Sequence, residues 1–180
     1  MPTRDVEVCP DCGAKLPAFD GPTHRYIGAS PACWALFAEL VNAGNPPLAP
    51  APLNDLITDA YAVQHHGTPS PQTIQSVAVH LLVLYGILVR EVAPGSAQWI
   101  RERAMRRGRE AKHDRFRWLA PPALHGSLTI ADIAQGATPA DRAETAGKFV
   151  TQVWELWARQ YEPIIGTWYD ANVVPDRLLS

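Results

Sequence analysis

The sequence Val8-Cys9-Pro10-Asp11-Cys12-Gly13 sets the organisation of this chain. It contains a Cys-x-x-Cys pair, and a glycine follows the second cysteine. Two thiolates three positions apart on a tight turn can reach one tetrahedral metal ion, and small residues around them allow backbone amides to point at the sulfur atoms. This pattern predicts half of a metal site, so the other ligands must come from elsewhere in the chain.

The residues around the pair predict an irregular arm. Residues 1–29 contain little helical periodicity, several prolines and glycines, and no convincing β-hairpin pattern. Such a segment buries little apolar surface, and a bound metal ion is a plausible way to order it. We therefore predict a metal-binding arm over residues 1–29 and a helical bundle over residues 30–180, which together form one domain.

Helical periodicity dominates the rest of the chain and predicts an all-α, single-domain bundle. The strongest apolar pattern runs from Pro71 to about Val92, after Ser70 as the N-cap. Pro163 is expected to kink or end the last long helix, because proline lacks the backbone donor that a helix interior needs. Three more helices are predicted over residues 31–43, from 53 or 54 to 66, and over about 97–113. A short helix is predicted after Thr129 and a long one after Thr138. Residues 45–52 are predicted to form a proline-rich loop.

Composition and charge exclude several classes of protein. The chain has 180 residues, of which 47% are hydrophobic and 19% are charged, as in a globular domain with a sizeable core. Its net charge of −2 gives no general attraction to nucleic acid or anionic membranes, and we expect no membrane-spanning segment. No apolar leader precedes Cys9, which favours a cytoplasmic protein, and an odd number of cysteines suits reduced thiols and Zn²⁺ better than disulfides.

Cys33 and one histidine are the predicted remaining ligands. Cys33 lies in the first turn of the helix predicted from residue 31, where a helix N-terminus favours a thiolate. His80 is the preferred fourth ligand, because it lies on the apolar face of its helix and an antiparallel helix pair would place Asp59 opposite it. The alternative for His80 is a core histidine that is hydrogen-bonded to a polar partner.

Other histidines are alternatives for the fourth position. His65 and His66 end a predicted helix, and at most one of them should face inward because adjacent helical residues point about 100° apart. His24 would complete an entirely local site, although an exposed loop histidine is an equally good interpretation. The predicted ligands are thus Cys9, Cys12, Cys33, His80 and His65, with His24 as the local alternative, and the predicted ion is Zn²⁺.

Five blocks contain most of these candidate residues. They are Cys9-Pro10-Asp11-Cys12-Gly13, residues 20–26 (DGPTHRY), residues 30–34 (SPACW), residues 59–65 (DAYAVQH) and residues 76–81 (SVAVHL). Together they resemble an uncharacterised bacterial family, known only as a domain of unknown function, over most of the chain. The resemblance implies no assigned reaction but supports the cysteines, His65 and His80 as a set. The chain departs from the family pattern at His66, where proline is expected, and at Asn54-Asp55, where histidine and a basic residue are expected.

Two further patterns have both a structural and a functional interpretation. The segment between Ala97 and Arg117 is strongly basic, and we favour a solvated helix face that pairs with neighbouring acids over contacts with phosphates. Trp154, Trp157 and Tyr161 fall at helical spacing, which indicates core packing, with an aromatic pocket or a homodimer face as the alternative.

The sequence leaves three functions open, and it does not decide whether the chain is an enzyme. The preferred function is a zinc protein whose Cys/His site is structural and whose bundle binds a small molecule or a protein partner. The second is a metal-dependent transferase or hydrolase with an open metal position near His80, Asp59 and His65. The third, which the net charge argues against, is nucleic-acid binding through the helix from Arg101 to Arg117.

Overall fold

The computed structural model describes residues 5–42, 53–110, 116–123 and 126–174. Most of these residues are helical, and a two-stranded sheet precedes the helices. The predicted loop over residues 45–52 and the predicted end of the fourth helix at residue 113 lie outside the described residues. The elements in chain order are β1 (Val6–Val8), β2 (Lys15–Pro17), α1 (Pro31–Asn42), α2 (Leu53–Gln64), α3 (Pro71–Leu88), a 3₁₀ turn (Pro94–Ser96), α4 (Ala97–Glu110), α5 (Ile130–Ala134) and α6 (Pro139–Asn172).

Helices α2, α3 and α6 form the centre of the bundle and pack against one another. Helix α4 packs on α3 and also contacts α6, while α5 contacts both α1 and α6. The core is apolar and includes Trp154, Trp157 and Tyr161, so core packing is the correct interpretation of that stripe. The described part of the chain is therefore mostly helical, as predicted, apart from the small sheet.

Capping residues explain where the two long helices begin. The amide of Thr73 donates a hydrogen bond to Ser70 Oγ at 3.1 Å, and Pro71 opens α3. The amide of Asp141 donates to Thr138 Oγ1 at 3.1 Å, and the Asp141 carboxylate accepts from the Thr138 amide at 3.0 Å. Both arrangements satisfy amides that the first helical turn leaves unpaired. Helices α3 and α6 therefore begin where the sequence predicts.

Helix α6 does not end at Pro163 but continues to Asn172. Proline removes one helical hydrogen bond and crowds the carbonyl four residues earlier. Beyond it, Ile165 and Tyr169 are buried in the core. This burial outweighs the lost hydrogen bond. The prediction that Pro163 ends the helix is wrong, and the alternative of a kink at Pro163 stays a prediction.

A β-hairpin carries the Cys-x-x-Cys pair, which the sequence interpretation missed. Strands β1 and β2 are antiparallel, with Glu7 opposite Leu16. Just beyond the strands, the amide of Cys9 donates to the carbonyl of Ala14 at 2.8 Å and closes the turn. Each strand has three residues with only the middle one partly buried, so the alternation of apolar and polar residues is too short to detect.

Helix α3 has 18 residues and is apolar enough to span a membrane by length and composition alone. Of that segment, 56% is buried inside the protein. The core helix of a globular protein has the same properties because other helices surround it. The expectation that no apolar run has spanning length therefore needs this correction, and burial favours a core helix.

Candidate metal centre

Four side chains that can bind a metal meet at one buried point. Cys9, Cys12, Cys33 and His65 place their ligand atoms within 4.8 Å of one another, and all four residues are buried. The sulfur of Cys33 lies 3.9 Å from that of Cys12 and 3.4 Å from Nε2 of His65. Ligand atoms about 2.0–2.3 Å from a tetrahedral Zn²⁺ lie roughly 3.5–3.8 Å apart. The cluster therefore has the size of a tetrahedral metal site.

The hairpin turn presents the first two sulfur atoms. Gly13 has a φ of 73°, a left-handed conformation that glycine adopts at little cost and that returns the chain from Cys12 to β2. The amide of Gly13 donates to the carbonyl of Cys9 at 2.9 Å. The amide of Ser30 donates to the sulfur of Cys9 at 3.4 Å, which stabilises negative charge on that sulfur.

Helix α1 supplies the third sulfur from its first turn. Cys33 is completely buried, and its amide donates to Ser30 Oγ at 3.3 Å. Glu7 of β1 accepts a hydrogen bond from the amide of Ala32 at 2.7 Å. A carboxylate at a helix N-terminus satisfies an unpaired amide and faces the positive end of the helix dipole. Glu7 thereby fastens the hairpin to α1.

His65 follows the last residue of α2 and supplies the nitrogen. Its Nδ1 donates to the carbonyl of Tyr61 at 2.9 Å. Because a carbonyl oxygen only accepts, Nδ1 carries a proton, and in the neutral ring the lone pair is on Nε2, which lies near Cys33. A backbone carbonyl on the second ring nitrogen is a usual way to orient a metal-binding histidine.

Close contacts within the cluster shift the pKa values of its members. Hydrogen bonds from Cys12 and Cys33 lower the pKa of Cys9, whereas contacts with Cys12 and Cys9, together with burial, raise the pKa of Cys33. Burial lowers the pKa of His65, but hydrogen bonds with Cys12 and Cys9 outweigh burial and raise that pKa to about 9. A cation that binds here must therefore displace protons from the protein.

Tyr61 supports the cluster from within α2. Its hydroxyl donates to the sulfur of Cys33 at 3.6 Å, and its ring stacks on Phe37 with centroids 3.9 Å apart. Burial and the charge of Cys33 raise the pKa of Tyr61 far above its ordinary value, so the phenol stays protonated. Tyr61 can therefore stabilise a thiolate at Cys33 as a hydrogen-bond donor.

Asp11 and Gly28 attach the N-terminal residues to the end of α2. Asp11 Oδ2 accepts a hydrogen bond from the amide of Gly67 at 2.7 Å, and the amide of Gly28 donates to the carbonyl of His65 at 3.2 Å. A Cβ atom at Gly28 would lie 2.0 Å from Asp11 Oδ2, so a larger residue does not fit there. These bonds hold the hairpin turn beside His65.

The structure places His80 apart from the cluster. Its Nδ1 lies 2.6 Å from Asp59 Oδ1, so Asp59 does lie opposite His80 as predicted. Arg101 of α4 donates two further bonds to the same carboxylate, from Nε to Oδ1 at 3.0 Å and from Nη2 to Oδ2 at 2.6 Å. We preferred His80 as the fourth ligand, but it is His65 whose nitrogen joins the three sulfur atoms.

The other candidate histidines also lie outside the cluster. His24 packs on Trp34 with ring centroids 5.1 Å apart. His66 Nδ1 donates to the carbonyl of Gly67 at 2.9 Å. Of the adjacent pair at the end of α2, only His65 faces the sulfur atoms, as the helical geometry requires.

The sequence interpretation placed Arg101 on a solvated helix face whose arginines pair with acids of neighbouring helices. Arg101 does pair with Asp59 of α2, but its side chain is only 16% exposed. Ala97, Ile100 and Ala104 are completely buried and mark the inner face of α4. Arg101 falls on that face, four positions after Ala97 and three before Ala104. This spacing was the signal that could have identified Arg101 as the partner of a buried carboxylate.

No curated protein and no solved structure matches the chain. A family model does match, over residues 7–158, and it describes a family of unknown function, DUF5946. The matched region includes the three cysteines, His65, and the Asp59–His80 pair. Because the match spans most of its length, the chain belongs to this family of unknown function.

Proposed function

We propose that the chain binds one Zn²⁺ through Cys9, Cys12, Cys33 and His65, and that this ion holds the hairpin on the helical bundle. The observation that carries the proposal is the position of four buried ligand atoms within 4.8 Å of one another. The ligands come from the turn between β1 and β2, the first turn of α1 and the end of α2. An ion at this point would cross-link three separate parts of the chain.

The donor atoms favour Zn²⁺ over the other common divalent ions. Calcium and magnesium take oxygen ligands, whereas the four ligand residues offer three sulfur atoms and one nitrogen. Three cysteines and one histidine in a tetrahedral arrangement are typical of structural zinc sites. The burial of all four ligands supports a structural ion over a catalytic one.

A metal-dependent transferase or hydrolase would need an open coordination position and a nearby general base. Four protein ligands leave no open position on a tetrahedral ion. Asp59, which with the histidines is a candidate for such a base, is instead held by Arg101 and His80. These placements favour the structural role of the ion over the enzymatic alternative.

Internal contacts of α4 favour a structural role for its first arginines. Arg101 binds Asp59, and Nε of Arg103 donates to the carbonyl of Val173 at 2.5 Å. Guanidinium groups engaged in this way hold α4 on the bundle and are not free to bind phosphates. Salt-sensitive retention on heparin that Arg106→Ala weakens would speak for nucleic-acid binding instead.

The proposed role is therefore that of a zinc-stabilised helical scaffold that binds a small molecule or a protein partner. The three free cysteines also favour a cytoplasmic location, because disulfides are rare and thiolate ligands persist in that compartment. No reaction follows from the zinc centre itself.

Metal analysis and X-ray absorption test the proposal. The purified protein is expected to contain about one zinc per chain, with three sulfur atoms at about 2.3 Å and one nitrogen at about 2.0 Å. A first shell with fewer sulfurs and an oxygen ligand would indicate an open site instead. Metal-free protein with the melting temperature and circular dichroism spectrum of the zinc form would overturn the structural role.

A further inference from the structure

A cavity beside the Asp59–His80 pair has the size of a small-molecule site. Its volume is about 340 Å³, and residues of the N-terminal arm, α3 and α4 line it. Sites that bind small molecules in proteins begin at about 300 Å³. The cavity is separate from the four ligand residues of the metal centre, none of which lines it.

His80 offers this cavity one hydrogen-bond acceptor. Its Nδ1 donates to Asp59, so the lone pair of the neutral ring is on Nε2. Among the described residues Nε2 has no hydrogen-bond partner, and it is not one of the buried unpaired atoms. The side chain is 20% exposed and lines the cavity. Nε2 is therefore not fully buried, and it belongs to a ring that lines the cavity.

Asp59 and Arg101 hold His80 in this orientation. The Asp59 side chain is completely buried, and Arg101 neutralises it through two hydrogen bonds. A carboxylate fixed in this way keeps the imidazole in one tautomer, as it does for histidines that accept protons in active sites. The three residues come from α2, α3 and α4, so helix packing determines the direction of the acceptor.

The walls of the cavity favour an uncharged ligand. Tyr26, Val79 and Met105 supply apolar surface, and Gln75 and Ser76 supply neutral polar groups. The guanidinium that reaches the cavity already pairs with Asp59, and among the described lining residues there is no other fixed charge. A charged ligand would lose hydration here without gaining an ion pair.

We propose that this cavity binds a neutral small molecule with an apolar ring and a hydroxyl group, which donates its hydrogen bond to Nε2 of His80. The ring would lie against Tyr26, Val79 and Met105. The site would define the class of small molecule that the proposed scaffold binds, which the zinc centre alone does not define. It needs no metal ion for recognition, so its test is independent of the ligand set of the zinc.

Phenol, anisole and benzoate are probes that separate the contributions of the apolar ring, the hydroxyl donor and the lack of charge. Protein labelled with ¹⁵N-histidine would be titrated with each while NMR follows the His80 ring, assigned with His80→Gln. Phenol is expected to bind with a Kd of about millimolar, as for other ligands of its size, and to shift the Nε2 resonance. Anisole has no donor and is expected to bind about fivefold more weakly, and benzoate should give no shift.

Two variants that fill the cavity complete the test. Ser76→Phe fills the cavity from α3, and Met105→Trp fills it from an exposed position on α4. Each should abolish the phenol shift while the melting temperature stays near that of the wild type. Lys148→Ala, an exposed position on α6, is the matched control and should bind phenol normally. Any of three results would overturn the proposal. They are the absence of a His80 shift at tens of millimolar phenol, binding of benzoate equal to that of phenol, and unchanged phenol binding in a folded cavity-filling variant.

Discussion

The sulfur of Cys33 lies 3.4 Å from Nε2 of His65, although 32 residues separate them in the chain. This contact joins the first turn of α1 to the end of α2, and the hairpin turn adds two more sulfur atoms to the same point. An ion bound there would act as a cross-link between elements that share few local contacts. The first predictions follow from that arrangement.

Cys9→Ser should remove the metal and destabilise the fold. Loss of one of four ligands weakens zinc binding, and the hairpin then loses the cross-link that the ion would make to α1 and the end of α2. We expect less than one zinc per chain and a loss of about 3 kcal/mol, at the upper end for a single substitution, which lowers the melting temperature by roughly 6–12 °C for a chain of this size. Elemental analysis measures the zinc content, and calorimetry measures the melting temperature. His24→Gln, outside the cluster, is the control and should keep the metal.

His65→Gln and His80→Gln should differ in metal content. His65 provides the only nitrogen among the four clustered ligands, whereas His80 bonds to Asp59. The first variant should lose zinc and the second should retain it, as measured with a chromophoric chelator after denaturation. Loss of zinc in His80→Gln alone would show that His80 is the nitrogen ligand, as the sequence interpretation preferred.

Zinc binding should release at least two protons near neutral pH. The pKa of His65, raised to about 9, and the raised pKa of Cys33 keep both groups protonated, whereas the lowered pKa of Cys9 leaves a thiolate. Both bound protons must leave, so zinc affinity should rise as the pH increases from neutral towards 9 and fall on acidification. Isothermal titration in two buffers of different ionisation enthalpy counts the protons. Affinity that does not change with pH would contradict these shifts.

Asp59→Asn should destabilise the protein more than the loss of both partners. It leaves Arg101, whose side chain is only 16% exposed, without a counter-charge. We expect a loss of about 3–5 kcal/mol in urea unfolding. The double variant Asp59→Leu with Arg101→Met should recover most of this loss, because an apolar pair leaves no charge unpaired. Equal losses in both variants would mean that the unpaired Arg101 charge is not the cause and that the ion pair itself stabilises the fold.

Pro163→Ala should stabilise the protein. Pro163 is exposed inside α6, so alanine restores a helical hydrogen bond and removes no buried contact. Part of the gain is offset because proline also restricts the unfolded chain. We expect a net gain of about 1–2 kcal/mol by chemical denaturation. Glu162→Ala, the exposed neighbour, should change the free energy of unfolding by less than about 0.5 kcal/mol.

Local patterns were sufficient to predict the helical part of the fold. Apolar periodicity located α3 and α6, and Ser70 and Thr138 marked their starts because capping depends on residues within one turn. The hairpin was not predictable in the same way. Its three-residue strands are mostly exposed, and the backbone bonds that hold them leave no periodic trace in the side chains.

The cysteine ligands followed from spacing, but the choice of histidine did not. His65 and His80 each lie on an inward face of a helix, and each has a polar partner. What separates them is the position of the hairpin turn beside the end of α2, where Asp11 bonds to Gly67 across 56 residues. A contact of that kind has no signature in a single sequence.

Tyr26 belongs to the arm that the cysteines fasten, and it is also a wall of the cavity beside His80. Two positions further on, Gly28 bonds to the carbonyl of His65. The proposed zinc and the proposed ligand would therefore stabilise the same placement of this arm. By thermodynamic reciprocity each would tighten the binding of the other, so oxidation of a single cysteine would weaken the binding not only of the ion but also of a molecule held some way from it.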